Sequence, residues 1–255
     1  MRNLTSLVIT VMIPFCVSAG NNLYEKREFI YKGDTLKYRV LFPENYDTTR
    51  KYPMVMFLHG MGERGSDNES QLLHGASLFI DEETRKDYPS IVIFPQCSLD
   101  DSWIKITRNE SGDIDFPKNA KMTNSLLLVK KLLDTYKKDD AVDKNRIYIG
   151  GLSMGGMGTY DLICRYPKYF AVAIPICGGV NTERLKKVKK MPIRIFHGGE
   201  DPTVSREYSR NAFIELKANG SKKVEYIEFP GVGHDSWTKA FAYPDFLSWM
   251  YYQSR

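Results

Sequence analysis

The sequence reads Gly151-Leu152-Ser153-Met154-Gly155 between an apolar run at residues 146–150 and a helix-compatible run at residues 157–166. This is G-x-S-x-G in the order strand, turn, helix, where a serine on a tight turn projects its hydroxyl above the end of a parallel strand. The flanking glycines lack Cβ atoms, as so tight a turn requires. A glycine-rich turn with an incidental serine is the alternative, and the partner residues found downstream argue against it. The pattern predicts that Ser153 is a nucleophile.

The chain upstream of this turn shows apolar strands separated by helical segments. Residues 28–42 hold two short apolar runs around Gly33-Asp34 and predict an antiparallel hairpin, which Pro43 ends. Residues 54–58 and 91–94 are continuous apolar runs, as expected for strands buried on both faces of a parallel sheet. We predict helices at about residues 71–85 and from residue 122. Residues 98–118 lack periodicity and are predicted to form a loop over the site.

The same alternation continues downstream of the serine turn. Strands are predicted at residues 171–176, 193–196 and 224–229, and helices near residues 182–189, 205–218 and 245–252. No Ser/Pro-rich linker interrupts this alternation. We therefore predict an α/β fold, a doubly wound and mostly parallel sheet of about eight strands with helices on both faces, in a single domain over residues 20–255.

The composition excludes several classes of protein. A chain of 255 residues with 42% hydrophobic residues supports a large core and argues against disorder. The net charge of +5 is spread along the chain, and its densest cluster, residues 186–190, is interpreted as a solvated helix end. No nucleic-acid partner is therefore predicted. No cysteine pair has C-x-x-C spacing, so no metal site is predicted.

Residues 1–19 have the pattern of a signal peptide. Arg2 supplies the positive end, residues 7–17 the apolar core, and Val17-Ser18-Ala19 a small-residue cleavage site. The sequence therefore predicts an exported protein, periplasmic or secreted, and no other apolar run is long enough to span a membrane. A lipoprotein anchored through Cys16 is the less favoured alternative, because Pro14-Phe15 are bulkier than the residues that lipoprotein signals usually show at those positions.

Three cysteines follow this leader: Cys97, Cys164 and Cys177. In the predicted strand order, Cys97 and Cys177 end strands three positions apart, about 14 Å at about 4.8 Å per strand. Cys164 lies about 16 Å along a helix from Ser153, away from both loops. Since a disulfide needs Cα atoms within about 7 Å, we predict three free thiols.

A serine nucleophile needs a base, and the base needs an acid that orients it. On a fold of this type the order along the chain is serine, acid, histidine. The downstream histidines are His197 and His234, and only His234 follows the best acid. His197 is interpreted as bracing its own loop. Asp201 is preferred to Glu200 as the acid because it stands directly before a proline that fixes a helix entry.

Backbone N–H groups are expected to stabilise the negative charge that develops on the carbonyl oxygen in an acyl transfer. One such group is the amide of Met154, the residue after the nucleophile. The second is expected from the loop after the strand at residues 54–58, and Met61 is the best candidate. Its side chain has no part in that role.

Four blocks of sequence together resemble the α/β-hydrolase superfamily: residues 151–156, 59–65, 94–97 and 233–237. More narrowly, they are similar to exported bacterial esterases related to the phospholipase/carboxylesterase group, to polyhydroxybutyrate-depolymerase-like proteins and to feruloyl or acetylxylan esterases. The resemblance covers about residues 28–252. It implies a serine carboxylic-ester hydrolase that uses Ser153, Asp201 and His234 and needs no metal or organic cofactor.

The expected substrates are small-molecule or oligosaccharide esters with short or aromatic acyl groups, such as acetyl or feruloyl groups on carbohydrate. Gln96, Trp103 and Trp237 are candidates for the pocket that binds them. Glu63 and Arg64 form either an ion pair that stiffens the loop of Met61 or two solvated charges, and the sequence favours neither. A serine peptidase of the prolyl-oligopeptidase type and a non-catalytic carbohydrate- or partner-binding protein on the same fold are the rival interpretations.

Overall fold

The computed structural model describes residues 23–255, so the predicted leader, with Cys16, lies outside the described residues. The described part of the chain begins with an antiparallel hairpin, as predicted, and then enters the parallel part of the sheet. The elements of this first half are β1 (Glu25–Tyr31), β2 (Asp34–Leu41), β3 (Tyr52–Leu58), α1 (Ala76–Ile80), α2 (Glu82–Asp87) and β4 (Ile91–Gln96). Short 3-10 turns occupy Met61–Glu63 and Ser70–Leu72.

The helix predicted at residues 71–85 is divided into α1 and α2. Gly75, just before α1, has a φ of 83°, a left-handed conformation that suits glycine. Asp81 has extended backbone angles, and its carboxylate accepts a hydrogen bond from the Thr84 N–H. Because that bond caps a new helix, Asp81 ends α1 and begins α2.

The second half of the chain carries the elbow and the rest of the sheet. Its elements are β5 (Thr107–Arg108), β6 (Ile114–Asp115), α3 (Asn124–Tyr136), β7 (Val142–Leu152), α4 (Met154–Arg165), β8 (Val172–Ile176), β9 (Ile193–Gly198), α5 (Arg206–Ala218), β10 (Val224–Phe229), α6 (Trp237–Phe241) and α7 (Phe246–Tyr252). The helix predicted near residues 182–189 is a 3-10 helix over Thr182–Val188. The sequence analysis missed α6 and the two-stranded hairpin β5–β6.

The main sheet has the strand order β1-β2-β4-β3-β7-β8-β9-β10. The strands β1, β2 and β4 pair antiparallel, and the pairs from β4 to β10 are parallel. This confirms the predicted mostly parallel sheet of eight strands. Leu58 pairs with Gly151 and Leu152 pairs with Ile176, so β3, β7 and β8 end side by side. The residues that follow these strands meet at one edge of the sheet.

Alternate residues of the central strands feed two separate cores, one on each face. In β3, Met54 and Met56 pack into the core that α3, α4 and α5 cover, whereas Val55 and Phe57 pack into the core under α1, α6 and α7. Both faces are apolar because helices cover both, which is why these strands read as continuous apolar runs. Helices on both faces were predicted and are confirmed. Among residues 23–255, no helix is long and apolar enough to cross a membrane.

Candidate active site

Ser153 lies on a strained turn between β7 and α4. Its φ of 52° is positive, which is uncommon for a residue with a side chain. The turn is held by hydrogen bonds from the Ser153 N–H to the Ile176 carbonyl (2.9 Å) and from the Met157 N–H to the Ser153 carbonyl (3.0 Å). A Cβ on Gly155 would lie 2.0 Å from the Leu58 carbonyl oxygen. Glycine at this position therefore lets α4 lie against β3 and aim Ser153 out of the sheet edge.

The side chains of Ser153, His234 and Asp201 form one hydrogen-bonded chain. Asp201 Oδ2 lies 2.7 Å from His234 Nδ1, and His234 Nε2 lies 2.9 Å from Ser153 Oγ. A carboxylate only accepts, so Nδ1–H donates to it, which leaves Nε2 free to accept from the serine hydroxyl. The structure brings together the three predicted residues in the geometry of a nucleophile, a base and an orienting acid.

The carboxylate of Asp201 is shielded from solvent and receives several donors. Burial opposes its charge, but donation from His197, His234 and the backbone N–H groups of Val204 and Thr203 outweighs burial and lowers the pKa of the carboxyl group well below its ordinary value. The Asp201 carboxyl group is therefore ionised at any pH at which His234 can accept a proton. His197, whose ring contacts the Val204 carbonyl and the Ser209 hydroxyl at 2.9 and 2.7 Å, braces this loop, as the sequence analysis interpreted.

The loop after β3 lies over Ser153 and carries Met61, which is exposed and lines the cavity described below. Met61 begins a 3-10 turn and Met154 begins α4. The first N–H groups of a helix have no partner within that helix, so these positions suit N–H groups that point at a ligand. His59 anchors the loop: its Nδ1–H donates to the Gly60 carbonyl (2.6 Å), and its Nε2 accepts from the Cys97 N–H (3.0 Å).

A cavity of about 350 Å³ opens above Ser153. One group of its lining residues is apolar and packs together: Ile104, Ile106, Ile114, Met157 and Val204. These residues were missed in the sequence analysis. The sequence placed residues 98–118 over the site, and the spacing of Ile104 and Ile106 was a further signal, but only the fold shows which side chains of this segment line the cavity.

Of the three residues predicted to bind substrate, only Trp237 lines this cavity. Trp103 is fully buried, and its indole N–H donates to the His59 carbonyl at 3.0 Å. Gln96 is also buried, and its amide donates to Asp67 Oδ1 at 2.6 Å. The expected substrate contacts of Trp103 and Gln96 are corrected accordingly, because both side chains hold the loop of Met61 from beneath.

Glu63 and Arg64 do not pair with each other among residues 23–255. Arg64 donates to the backbone carbonyls of Met61, Leu99 and Asp101 and so ties the loop to the segment after β4. Glu63 is buried and lines the cavity, and its Oε1 lies 3.8 Å from His74 Nε2. The sequence offered no signal for His74.

Cys177, Asp201 and His234 place three potential metal ligands within 4.8 Å of one another. Both ring nitrogens of His234 are engaged, one by Asp201 and the other by Ser153. Burial raises the pKa of the Cys177 thiol to about 12, so it is protonated at neutral pH. Since thiolate and a free imidazole nitrogen are the metal-binding forms, the group suits a hydrogen-bonded triad better than a metal centre.

Comparison with known proteins finds esterases, both by sequence and by fold. Residues 46–248 match the sequence profile of the phospholipase/carboxylesterase family. The chain is 28% identical over 213 residues to a probable carboxylesterase SOBER1-like of Arabidopsis thaliana, covering 77% of each protein. It is 22% identical over 209 residues to a probable feruloyl esterase C of Aspergillus oryzae, covering 81% of this chain and 70% of that protein. The crystal structure of a thermostable esterase superposes with a TM-score of 0.83 at 35% identity, over 92% of this chain and 64% of that one.

Proposed function

This chain belongs to the phospholipase/carboxylesterase family, which confirms the predicted family and enzyme class, a serine esterase, and we propose that Ser153, His234 and Asp201 are its catalytic triad. The observation that carries the proposal is the pair of contacts from Ser153 Oγ to His234 Nε2 (2.9 Å) and from His234 Nδ1 to Asp201 Oδ2 (2.7 Å). These lie at the floor of a cavity large enough for a small ester.

In the proposed reaction, His234 Nε2 takes the hydroxyl proton as Ser153 Oγ attacks the ester carbonyl carbon. Asp201 stabilises the imidazolium that forms. The carbonyl oxygen becomes an oxyanion, which the N–H groups of Met154 and Met61 stabilise by about 2.7 to 4 kcal/mol for each donor. The bond to the alcohol oxygen then breaks, and His234 returns the proton to that oxygen, which leaves as the alcohol.

The acyl group now remains on Ser153 as an ester. His234 takes a proton from a water molecule, whose oxygen attacks the acyl carbon, and the same two N–H groups stabilise the second oxyanion. The bond between the acyl carbon and Ser153 Oγ breaks, and His234 returns the proton to the serine oxygen. The carboxylic acid leaves, and the enzyme is restored without a cofactor.

We propose that the substrates are carbohydrate esters of short or aromatic acyl groups. The apolar group of lining residues, which includes Ile104, Ile114 and Met157, offers an acyl-sized surface beside Ser153. Trp237 lines the same cavity, and an aromatic ring suits packing against a sugar or a phenol. The similarity to a protein named probable feruloyl esterase supports an aromatic acyl group.

Labelling with a serine-reactive fluorophosphonate, followed by a panel of substrates, tests the proposal. We expect one label per chain, located on Ser153, and hydrolysis of nitrophenyl acetate and of acetylated or feruloylated oligosaccharides. Little action is expected on long-chain triglycerides and none on peptide anilides. Absence of labelling would favour a binding protein on this fold. Efficient cleavage of a peptide anilide with negligible ester turnover would favour a peptidase.

We also propose that residues 1–19 are a signal peptide and that residues 20–255 are the single catalytic domain of an exported enzyme. The pattern of charge, apolar core and small-residue site supports this. Expression in a bacterial host, fractionation and N-terminal sequencing test it. A chain that starts at Gly20 in the periplasm or medium is expected, and an intact Met1 in the cytoplasm would contradict the proposal.

A further inference from the structure

Glu63 is a buried carboxylate beside the nucleophile that the proposed reaction does not use. Its side chain is 10% exposed. Its Oε2 is enclosed and accepts no hydrogen bond from residues 23–255. A Cβ built on Gly60 would lie 3.1 Å from that oxygen and 3.8 Å from Ser153 Cβ. A carboxylate taken out of water without donors costs free energy, and Oε2 is closed to ligands, so a ligand that donates to the other oxygen, Oε1, offsets that cost.

His74 faces the other carboxylate oxygen across a gap. Its Nε2 lies 3.8 Å from Glu63 Oε1, which is too long for a hydrogen bond. An oxygen atom within about 2.8 Å of both atoms would fill the gap. A hydroxyl group suits it because it donates to the carboxylate and accepts from an N–H of the imidazole at the same time.

An aromatic ring adjoins this gap on the way to the triad. The Trp237 ring lies 5.1 Å from the His74 ring and 5.5 Å from the His234 ring, centroid to centroid. Glu63, His74 and Trp237 all line the cavity that holds Ser153. The wall they form is therefore polar and aromatic, whereas the group around Ile104 and Met157 is apolar.

We propose that Glu63, His74 and Trp237 form a subsite for the alcohol part of the substrate, which is a sugar whose free hydroxyl bridges Glu63 and His74 while its ring lies on Trp237. This rests on the proposed ester hydrolysis and adds which residues hold the alcohol. The acyl group then occupies the apolar wall. A carboxylate-bearing alcohol would be repelled by Glu63. An ammonium group has no lone pair to accept from His74, so a hydroxyl is the better match.

The test compares two acetyl esters in the wild-type enzyme and in Glu63→Gln. One is an acetylated xylo-oligosaccharide, which offers hydroxyl groups, and the other is nitrophenyl acetate, which offers none. The ratio of their kcat/KM values cancels effects on Ser153, on the oxyanion and on the acetyl group. We expect Glu63→Gln to lower this ratio about tenfold, as expected when a hydrogen bond to a charged group becomes one to a neutral group.

Two further variants keep the test decisive. Glu83→Gln makes the same change of charge on exposed α2, outside the cavity, and should leave the ratio unchanged. His74→Asn should lower the ratio about threefold or more, and it replaces Glu63→Gln if that protein fails to fold. An unchanged ratio in the cavity variants, or equal losses on both esters, would overturn the subsite.

Calorimetry separates failure of the subsite from failure of the proposed reaction. Ser153→Ala should bind the acetylated xylo-oligosaccharide without cleaving it, and adding Glu63→Gln should weaken that binding about tenfold. If the wild-type enzyme binds this sugar but cleaves only nitrophenyl acetate, the proposed carbohydrate ester substrate is wrong. The subsite is then tested by the ratio of the sugar affinities of Ser153→Ala with and without Glu63→Gln. No measurable binding by Ser153→Ala together with no cleavage by the wild type would overturn both.

Discussion

Ser153 combines a strained backbone with a hydroxyl whose one hydrogen-bond partner among residues 23–255 is His234. Strain of this kind costs on the order of 1–3 kcal/mol and persists only where the surroundings enforce it. Here the enforcing contacts are backbone hydrogen bonds to β8 and within α4. The turn therefore positions the oxygen atom before any substrate arrives.

Removing either end of the serine and histidine contact should abolish turnover. We expect Ser153→Ala and His234→Ala each to lower kcat for nitrophenyl acetate by about 10⁴-fold or more, with both proteins still folded. Ser248→Ala, an exposed serine on α7, is the matched control and should retain full activity. If Ser153→Ala kept more than about a tenth of the wild-type rate, the nucleophile would be another group.

His59 should make the protein sensitive to mild acid. Burial lowers the pKa of His59 from 6.5 to about 4, because a charged ring would be held out of water. Protonation would also set an N–H of the ring against the Cys97 N–H that now donates to it. The contribution of His59 to the free energy of unfolding is fully present above pH 6.5 and is lost as the pH falls towards 4. The reason is that His59 in the unfolded chain is protonated at a higher pH than His59 in the folded protein. The loss reaches about 3 kcal/mol for one buried histidine.

Urea unfolding at pH 7 and pH 4.5 measures this effect. Between these two values the wild type should lose about 2 to 3 kcal/mol more stability than His59→Gln, whose amide stays neutral. Asp201 does not confound the comparison, because its lowered pKa makes its contribution disappear only at still lower pH. Equal losses in the two proteins would show that His59 is not the acid-sensitive group.

The three residues of the hydrogen-bonded chain could be chosen from the sequence, and the residues that line the pocket could not. Ser153, Asp201 and His234 each lie in a short, recognisable stretch of sequence, and the three stretches follow each other in the expected order along the chain. Trp103 and Gln96 looked suited to ligands because of their chemistry, yet their partners are the His59 carbonyl and Asp67. His74 and Glu63 belong to two separate turns of the chain and face each other across a gap only because both turns line the same side of the cavity. No local pattern encodes such a meeting.

At the scale of elements, the tight crossing of α4 over the sheet explains the glycines of the elbow. A Cβ on Gly151 would lie 2.4 Å from the Gly155 carbonyl oxygen, and one on Gly155 would lie 2.0 Å from that of Leu58. The sequence predicted this crossing because close approach of backbones leaves a signature in residue type. The division between α1 and α2 was missed because residues 82–87 are polar but compatible with a helix, and only the Asp81 cap marks the break.

Gly155→Ala should therefore be severe. The added methyl group collides with backbone rather than with a movable side chain, so we expect a loss of about 3 kcal/mol or more in the free energy of unfolding, or failure to fold. Gly62→Ala is the matched control, since a Cβ there meets no atom within 4 Å. Urea denaturation of both variants measures the difference. Similar stabilities would mean that α4 does not pack so closely on β3.

At the scale of the whole molecule, the fold class followed from the alternation of apolar runs and helical segments. The apolar runs did not predict the hairpin β5–β6. This hairpin is attached to α5 by a hydrogen bond from the Ile114 N–H to the Tyr208 hydroxyl (2.9 Å). Two-residue strands have no detectable period. The position of this hairpin depends on α5, which comes about ninety residues later in the chain, so no local pattern of residues could predict it.

The thiols report on the integrity of the whole fold. Cys97, Cys164 and Cys177 are free and buried, and burial raises the pKa of each to about 12. A protein that lacks the first 19 residues should therefore give almost no reaction with a thiol-specific reagent at pH 8 when native, and three thiols after denaturation without reductant. Fewer than three after denaturation would reveal a disulfide. Rapid reaction of the native protein would contradict the burial of these groups.

The strand order also governs when a chain becomes an enzyme. Ser153 follows β7 in the middle of the sheet, but His234 follows β10, the strand at its far edge. A chain still being synthesised, or one whose edge strand has not yet docked, holds Ser153 without its proposed base, His234. Pairings between distant parts of the chain form slowly, so activity should return in the last kinetic phase of refolding, after the fluorescence of the core has recovered. Such latency would keep an unfinished chain from hydrolysing esters where it is made.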